Sequence, residues 1–467
     1  MDVKRIVKII VPALIGIAIA LIAPPEGLTV PAMQFMGIFL CSLIWMVLGC
    51  IPDHVIVVIA MTLCVFTGIC TVNEAFAPFA GSTMWLLVGA FGISAAINGC
   101  GLLKRISLWI LKLFPESYMG SVIAMYATGT VISPLIPSLA AKCAMFAPFT
   151  VGMSKALGYK KDSVQAGGMF AAMFVPCSIF GMAFFSGAVP VFTVLGFLSD
   201  AEKGAWNWFS WLQATFVWFI VVAVLCFVAI LLIYKPKGQS ESAPMKKGFA
   251  KEQLAELGPM SSQEKIGGTI LILALVGWMT TSITGFDSGM IAVAALIFMT
   301  LFGVFSGPDW KNKIPWTSFI FIGGVFSLAA LISSLGISAW MAELLAPVLA
   351  PVISNAWLLI PVVVLVTYAL RIVVISQTAT ITIIFTIFGG LCAAAGISAW
   401  PILFSCYVST LVWYYAANNT TYATALAATD GELVSFKTTL PMNFGFMACN
   451  LVACTASVPL WMLLGLL

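Results

Sequence analysis

Charge is the scarcest commodity in this sequence. Asp, Glu, Lys and Arg make up 8% of its 467 residues, against about a quarter in ordinary water-soluble chains. So few ionic groups cannot clothe the surface of a soluble domain of this length. Histidine is nearly missing, His54 being the single one. There is no Cys-x-x-Cys pair and no cluster of His, Cys and carboxylates, so the usual ligand sets for a structural or catalytic metal are not offered. The twelve cysteines are scattered. Several (Cys41, Cys64, Cys226, Cys392) sit inside apolar runs, where cysteine serves as a small apolar filler. Acids within apolar runs are also scarce. Asp53, Asp287, Asp309 and Asp430 fall near run ends or between runs, which argues against a proton or cation pump. With no clustered carboxylates and one histidine, neither an enzyme nor a nucleic-acid binder is expected.

What the chain has is apolar length. Hydrophobic residues are 62% of it, in runs of roughly 20 such as 6–22, 35–51 and 215–233, the thickness of a bilayer's hydrocarbon core. The first run follows Lys4, Arg5 and Lys8, lacks a small-residue cleavage site and ends at Pro24-Pro25, so it reads as a retained span. The expected fold is an all-α membrane protein of about eleven spans, near 6–23, 33–51, 54–70, 82–99, 163–195, 207–234, 265–283, 289–306, 316–333, 398–428 and 437–466. Spans 163–195 and 398–428 read as broken. Two further apolar segments, 118–150 and 355–390, are interrupted by Pro, Ser and Thr and read as re-entrant hairpins. Irregular backbone at that depth must be buried in protein or line a wet cavity, because lipid cannot satisfy its polar groups.

The basic residues test this drawing. With the N-terminus cytoplasmic, Lys4, Arg5, Lys8, Lys104, Arg105, Lys112, Lys155, Lys160, Lys161, Lys311, Lys313 and Lys437 all fall on one face. The loop after Tyr234 adds Lys235, Lys237, Lys246, Lys247, Lys251 and Lys265. That places eighteen of the 21 basic residues inside, as the positive-inside rule asks. Lys203 alone falls in an outside loop. Lys142 and Arg371 lie within the two hairpin segments. The polar stretch 235–264 reads as a cytoplasmic linker between a first half, 1–234, and a second half, 265–467.

The halves repeat each other. Residues 82–101 (STMWLLVGAFGISAAINGCG) align without gaps to 317–336, matching Gly89 to Gly324, Phe91 to Phe326, Ala95 to Ala330, Ile97 to Ile332 and Gly101 to Gly336. The helix after the first copy, 102–114, carries Lys104, Arg105 and Lys112. Its counterpart, 337–350, carries no base and one acid, Glu343. The same structural position is basic once and not twice, as inverted topology predicts. Trp109 and Trp340 suit a membrane interface. Inverted repeats with interrupted helices are a transporter design, with the substrate held near the midplane where broken helix ends converge.

The second hairpin's tip reads Ile375-Ser376-Gln377-Thr378-Ala379-Thr380. Helix N-termini there offer unpaired N–H groups to a carboxylate, and hydroxyl and carbonyl oxygens suit Na⁺. The first tip, 133–142 (SPLIPSLAAK), aligns to it: Ser138 with Ser376, Leu139 with Gln377, Ala140 with Thr378, Lys142 with Thr380. On these residues, with Ala23-Pro24-Pro25-Glu26-Gly27-Leu28-Thr29 and the Gly101-Leu102-Leu103-Lys104-Arg105 junction, the chain resembles the divalent anion/sodium symporter (DASS) family of di- and tricarboxylate carriers over nearly its full length. The Ser376-Gln377-Thr378 tip is similar to that family's Ser-Asn-Thr signature. The resemblance implies substrate and Na⁺ contacts at Ser376, Gln377, Thr378 and Ser138, a homodimer, and a moving substrate domain beside a fixed scaffold. There are departures. Leu139 and Ala140 remove two polar side chains from the first signature, and Asn418-Asn419-Thr420-Thr421 stands where related chains often carry a Pro-rich break. The equivalent break in the first half holds Pro176, Cys177 and Ser178.

The expected substrate residues are Ser138, Ser376, Gln377, Thr378, Asn418, Asn419, Thr420 and Lys142; those expected for sodium are Ser376, Thr378, Thr380 and Ser138. An ammonium inside the membrane is costly and by default functional, so Lys142 either replaces a sodium or binds a substrate carboxylate. Arg371 offers a fork for a carboxylate or a scaffold contact. The function expected is a secondary carrier of small dicarboxylates, by Na⁺-coupled symport or anion exchange, in the inner membrane. Citrate and sulfate carriers and a passive anion channel are the alternatives. Apart from Na⁺ no cofactor is expected.

Overall fold

The computed structural model describes residues 3–115, 117–236, 248–415 and 418–467. Every element among them is a helix. Eight helices, or helix pairs running on from one another, are long and apolar enough to cross a membrane: Val30–Leu48, Ser82–Gly99, Val164–Ala183, Trp208–Ile233, Trp316–Ser334, Ala356–Val373, Gln377–Ala395 and Phe436–Leu463. Four segments expected to span (6–23, 54–70, 289–306 and 398–428) contain shorter apolar helices instead: Ile6–Ala20, Asp53–Phe66, Ser288–Leu301 and Trp400–Ser409. Part of the expected linker lies outside the described residues; its remainder forms the helix Phe249–Leu257.

Trp208–Ile233 shows why these helices need lipid. Its 26 residues measure about 39 Å along the axis. One face (Trp211, Thr215, Trp218, Val222, Cys226, Ile230) is buried, while Phe216, Ile220, Val224, Val228 and Leu232 on the other side are exposed. A helix in water would place polar residues there. Here both faces are apolar, so hydrocarbon is the solvent of the second.

Helices of the two halves pack on each other reciprocally. Ser82–Gly99 of the first half packs against Ser288–Leu301 of the second, and Trp316–Ser334 of the second against Asp53–Phe66 of the first. The matched glycines make both contacts possible. A Cβ on Gly89 would sit 2.5 Å from the Ala292 Cβ, and one on Gly324 would sit 2.6 Å from the Val57 Cβ. The other matched pair, Gly101 and Gly336, adopts φ of +87° and +73°, a left-handed turn that glycine enters without a Cβ penalty. Each starts the short helix that follows, Leu102–Leu111 and Ile337–Ile353. A buried ion pair also ties the first half to the last residue of the linker: Arg105 meets Glu264 at 2.7 Å.

Both expected hairpins are helix–turn–helix units. The first joins Tyr118–Ile132 to Leu139–Ala156 through a 3-10 turn, Ser133–Leu135. The second joins Ala356–Val373 to Gln377–Ala395. Each is followed by an interrupted span. Val164–Ser178 and Phe180–Ala183 are separated from Val189–Phe197 by a loop. Trp400–Ser409 is separated from Thr420–Ala427 by a stretch in which Val412 and Trp413 are non-helical. Pro176-Cys177-Ser178, expected to form the first break, instead end the helix Val164–Ser178.

Candidate functional site

The two hairpin turns begin their second arms in the same way. Ser138 caps Leu139–Ala156, its hydroxyl accepting from the Ala141 N–H at 3.2 Å. Ser376 caps Gln377–Ala395, accepting from Ala379 at 3.2 Å. A serine cap satisfies one of the helix's free N–H groups and leaves others at the turn. The alignment that pairs Ser138 with Ser376 thus pairs two residues with one structural job. Lys142 and Thr380, also aligned, diverge. Thr380 returns its hydroxyl to the Ser376 carbonyl at 3.0 Å, whereas Lys142 reaches out of its helix.

The Lys142 ammonium is fully buried. It donates to the carbonyl of Ser133, on the hairpin turn, at 3.2 Å and to that of Gly187, in the break of the following span, at 3.0 Å. Gly181 makes room for it, because a Cβ there would lie 2.7 Å from Nζ. Other bonds hold the same turn against the same break. Ser133 Oγ donates to the Pro176 carbonyl at 2.7 Å, Ser186 Oγ to that of Pro134 at 2.9 Å, and the Val189 N–H to that of Pro137 at 3.0 Å.

Arg371 ends the first arm of the second hairpin, also fully buried. Its guanidinium donates to the carbonyls of Val374, at 2.7 Å, and Ile375 on the turn, and to that of Asn418 in the second break. The Asn418 amide donates back to the Arg371 carbonyl at 2.8 Å. Gln377 crosses from the hairpin to the Thr410 carbonyl at 3.2 Å. Asn419 holds the Leu411 carbonyl at 2.7 Å and caps Thr420–Ala427 through Tyr422 N–H at 3.0 Å. Thr378 is half-buried in the first turn of its helix, where its carbonyl accepts from the Thr382 hydroxyl at 2.8 Å. Thr420 is exposed.

Aromatic rings pack the helix that precedes the first break against the second break: Phe174, in Val164–Ser178, packs edge-on to Trp413 at 5.0 Å and to Tyr422 at 5.5 Å, and Trp413 stacks on Tyr422 at 5.7 Å. The helix Thr420–Ala427 lies against Leu139–Ala156, the arm that carries Ser138 and Lys142. Each half thus has its own polar junction of hairpin turn and following break, with one buried cation in it, Lys142 in the first and Arg371 in the second. Ion pairs include Arg105–Glu264, Lys155–Glu432 and Lys313–Asp309, and among the described residues neither Lys142 nor Arg371 has an acid partner.

The residues 3–446, nearly the whole chain, match the family described as sodium:sulfate symporter transmembrane region. The chain belongs to this family. The chain is similar to the inner membrane protein YbhI of Escherichia coli, 26% identical over 351 residues covering 73% of this chain and 72% of YbhI. The spinach chloroplastic dicarboxylate transporter 1 is 25% identical over 71% of this chain and 59% of its own length, and the putative malate transporter YflS of Bacillus subtilis 24% identical over 73% and 72%. This chain thus spans about three fifths of the spinach protein. In fold it is similar to the YdaH transporter of Alcanivorax borkumensis, with a TM-score of 0.52 at 15% identity over 93% of this chain and 98% of that one.

A cavity of about 370 Å³ opens beside the first hairpin turn, lined by Ser94, Asn98, Ser138, Ala141 and Lys313. It exposes the start of the Ser138-capped helix to approach. A larger cavity of about 990 Å³ lies elsewhere, among Glu74, Ser82, Glu202, Phe326, Ser333 and Phe385. It holds none of the expected site residues, and Lys203 stands beside the two acids on its wall. The groups that sequence reading missed are backbone ones: the carbonyls of Ser133, Gly187, Val374, Ile375 and Thr410. No residue type announces where a carbonyl will point. Gly181, which admits the Lys142 ammonium, likewise carries no signal in sequence.

Proposed function

We propose that this family member is a secondary transporter of small dicarboxylate anions, of succinate, malate or 2-oxoglutarate type, working by elevator-like alternating access in the inner membrane. The carrying observation is the pair of buried cations, Lys142 and Arg371, without acid partners, beside two serine-capped helix N-termini. A dianion carries the complementary charge, and its carboxylates match N–H donors at Ser138, Ser376, Gln377 and Thr378. Asn418 and Asn419 complete the polar wall. Names among its relatives, a dicarboxylate and a putative malate transporter, favour the same substrate class. In this reading 118–150 and 355–390 are re-entrant, the halves are inverted, the N-terminus is cytoplasmic, and two copies form a dimer whose fixed scaffold includes the reciprocal helix pairs. Sodium coupling, which the family's description suggests, would draw on Ser138, Ser376, Thr378 and Thr380; anion exchange is the other mode.

Sulfate is the second reading, favoured by the same description. Uptake by proteoliposomes of labelled succinate, malate, 2-oxoglutarate, citrate and sulfate, each with and without Na⁺, separates the two. The dicarboxylate reading requires saturable uptake of one of the first three that unlabelled sulfate competes with weakly. Sulfate uptake alone would replace it.

A further inference from the structure

We propose that the repeated helix Ser82–Gly99 supplies part of the substrate site, with the Ser94 hydroxyl and the Asn98 amide donating to a carboxylate held at the Ser138-capped turn, and that it does so on one face of the membrane only. The inference rests on the carboxylate-carrier reading above and deepens it, since it names substrate contacts that lie outside both hairpins.

The two cavities are lined by the same face of the two repeat copies. Phe91, Ser94, Ala95, Asn98 and Gly99 line the smaller one. The residues aligned to them, Phe326, Ala329, Ala330, Ser333 and Ser334, line the larger. What stands opposite differs. The first face meets the turn of its hairpin, through Ile136, Ser138 and Ala141. The second meets Phe385, Gly389 and Gly390, which lie roughly 14–21 Å along their helix from Ser376. One copy of the face stands against a serine-capped turn, the other against the middle of a helix.

The first face is equipped for a ligand. Ser94 is 6% exposed, and among the described residues its hydroxyl has no hydrogen-bond partner. A serine inside a helix ordinarily gives its hydroxyl to the carbonyl one turn back, as Ser327 does to Gly323 at 3.0 Å. A buried hydroxyl left without a partner is costly, and this one opens on the cavity. Asn98 lies one turn further on the same face, and its side-chain amide has no partner there either. Across the cavity, Ser138 satisfies the Ala141 N–H of its helix, while the N–H groups of Leu139 and Ala140 have no intrahelical acceptor. A hydroxyl, an amide and a helix N-terminus around one cavity of about 370 Å³ are a donor set for a carboxylate.

The one-sidedness follows from the mismatch between the copies. Ala329 takes the place of Ser94, and Ser333 that of Asn98. The second face therefore offers one hydroxyl where the first offers a hydroxyl and an amide. A substrate domain that slides past both helices brings a turn to one face while the other face sees mid-helix, as here. With the N-terminus cytoplasmic, as proposed above, Asn98 lies at the cytoplasmic end of its helix and the smaller cavity opens inward. The inward-facing carrier then holds its substrate by two contacts that the outward-facing carrier lacks.

The test is the KM for labelled succinate, malate or 2-oxoglutarate at each face, measured in everted and in right-side-out membrane vesicles carrying the full chain. Ser94→Ala and Asn98→Ser copy the second face onto the first. Each should raise the KM at the cytoplasmic face about three- to tenfold, the size of one lost neutral hydrogen bond, and change the KM at the outer face by less than about twofold. Ser333→Asn is the reverse copy. It should lower the outer-face KM about three- to tenfold and leave the cytoplasmic one unchanged. A rise shared equally by both faces, a rise confined to the outer face, or no rise at either overturns the inference and leaves the dicarboxylate reading standing. Wild-type vesicles that take up none of the three dicarboxylates overturn that reading first and the inference with it. Where Ser94→Ala or Asn98→Ser does not fold, Ser333→Asn decides, and an unchanged outer-face KM overturns the inference.

Discussion

Arg371 and Asn418 are bonded to each other in both directions across 47 residues. The Asn418 amide donates to the Arg371 carbonyl at 2.8 Å, and the Arg371 guanidinium donates to the Asn418 carbonyl. The exchange locks the end of one hairpin arm to the break of the next span. Both residues are buried, so no water can replace either partner.

Asn418→Ala removes one side of that lock and leaves the Arg371 carbonyl buried without its donor. A loss of about 1–3 kcal/mol in stability is expected, read as a lower melting midpoint in detergent. Asn418→Asp should restore less than Asn418→Gln, since Asp offers no N–H for that carbonyl. Should Asn418→Ala melt with wild type, the mutual bond is not holding the junction.

Gly89→Ala tests the reciprocal packing of the halves. Its new Cβ would lie 2.6 Å from the Ala292 carbonyl carbon and 2.8 Å from the carbonyl oxygen. Backbone cannot swing away as a side chain can, so the helix pair must separate, at a cost of about 1–3 kcal/mol. Gly303→Ala, by contrast, meets nothing nearby and is strained only by its φ of +72°. Thermal melts of both variants should show the larger loss for Gly89→Ala.

Asn450 ties four helices. It accepts from Trp218 Nε1 at 2.9 Å and donates to the Tyr368 hydroxyl and Ser409 Oγ, each at 3.1 Å. Asn450→Ala strands these groups in an apolar interior, at roughly 1–3 kcal/mol for an unsatisfied partner. Asn450→Leu should fare no better, because the cost lies in the orphaned partners rather than in lost volume. Melting curves of the two variants that stay at the wild-type midpoint would disprove the network's role.

Lys313 borders the cavity beside Ser138 while paired with Asp309 at 2.8 Å. Its charge should draw a dianion toward the first hairpin turn. Lys313→Ala is expected to weaken apparent affinity about two- to fivefold at low ionic strength, with the difference fading as salt shortens the screening length. A deficit that salt does not reduce would mean that Lys313 acts by shape and not by charge.

The sequence by itself determined most of the chain's one-dimensional order. Hydrophobic runs end where helices end, because lipid-facing length and backbone satisfaction are local demands: Ser82–Gly99 lies where 82–99 was expected, and Trp316–Ser334 within a residue of 316–333. The breaks were legible only in part: the second falls at Asn418-Asn419 as expected, whereas Pro176-Cys177-Ser178 ends a helix and the first break lies at 184–188, where no residue pattern marked it. Tertiary structure alone decided what the polar residues bond to. Lys142 could have faced a carboxylate, a lipid headgroup or a carbonyl, and its neighbours in sequence give no preference. The choice fell to Ser133 and Gly187 because a hairpin turn and a break 45 residues away present carbonyls to one point. Such convergence depends on how helices from distant segments pack, and a periodic pattern along the chain does not encode it.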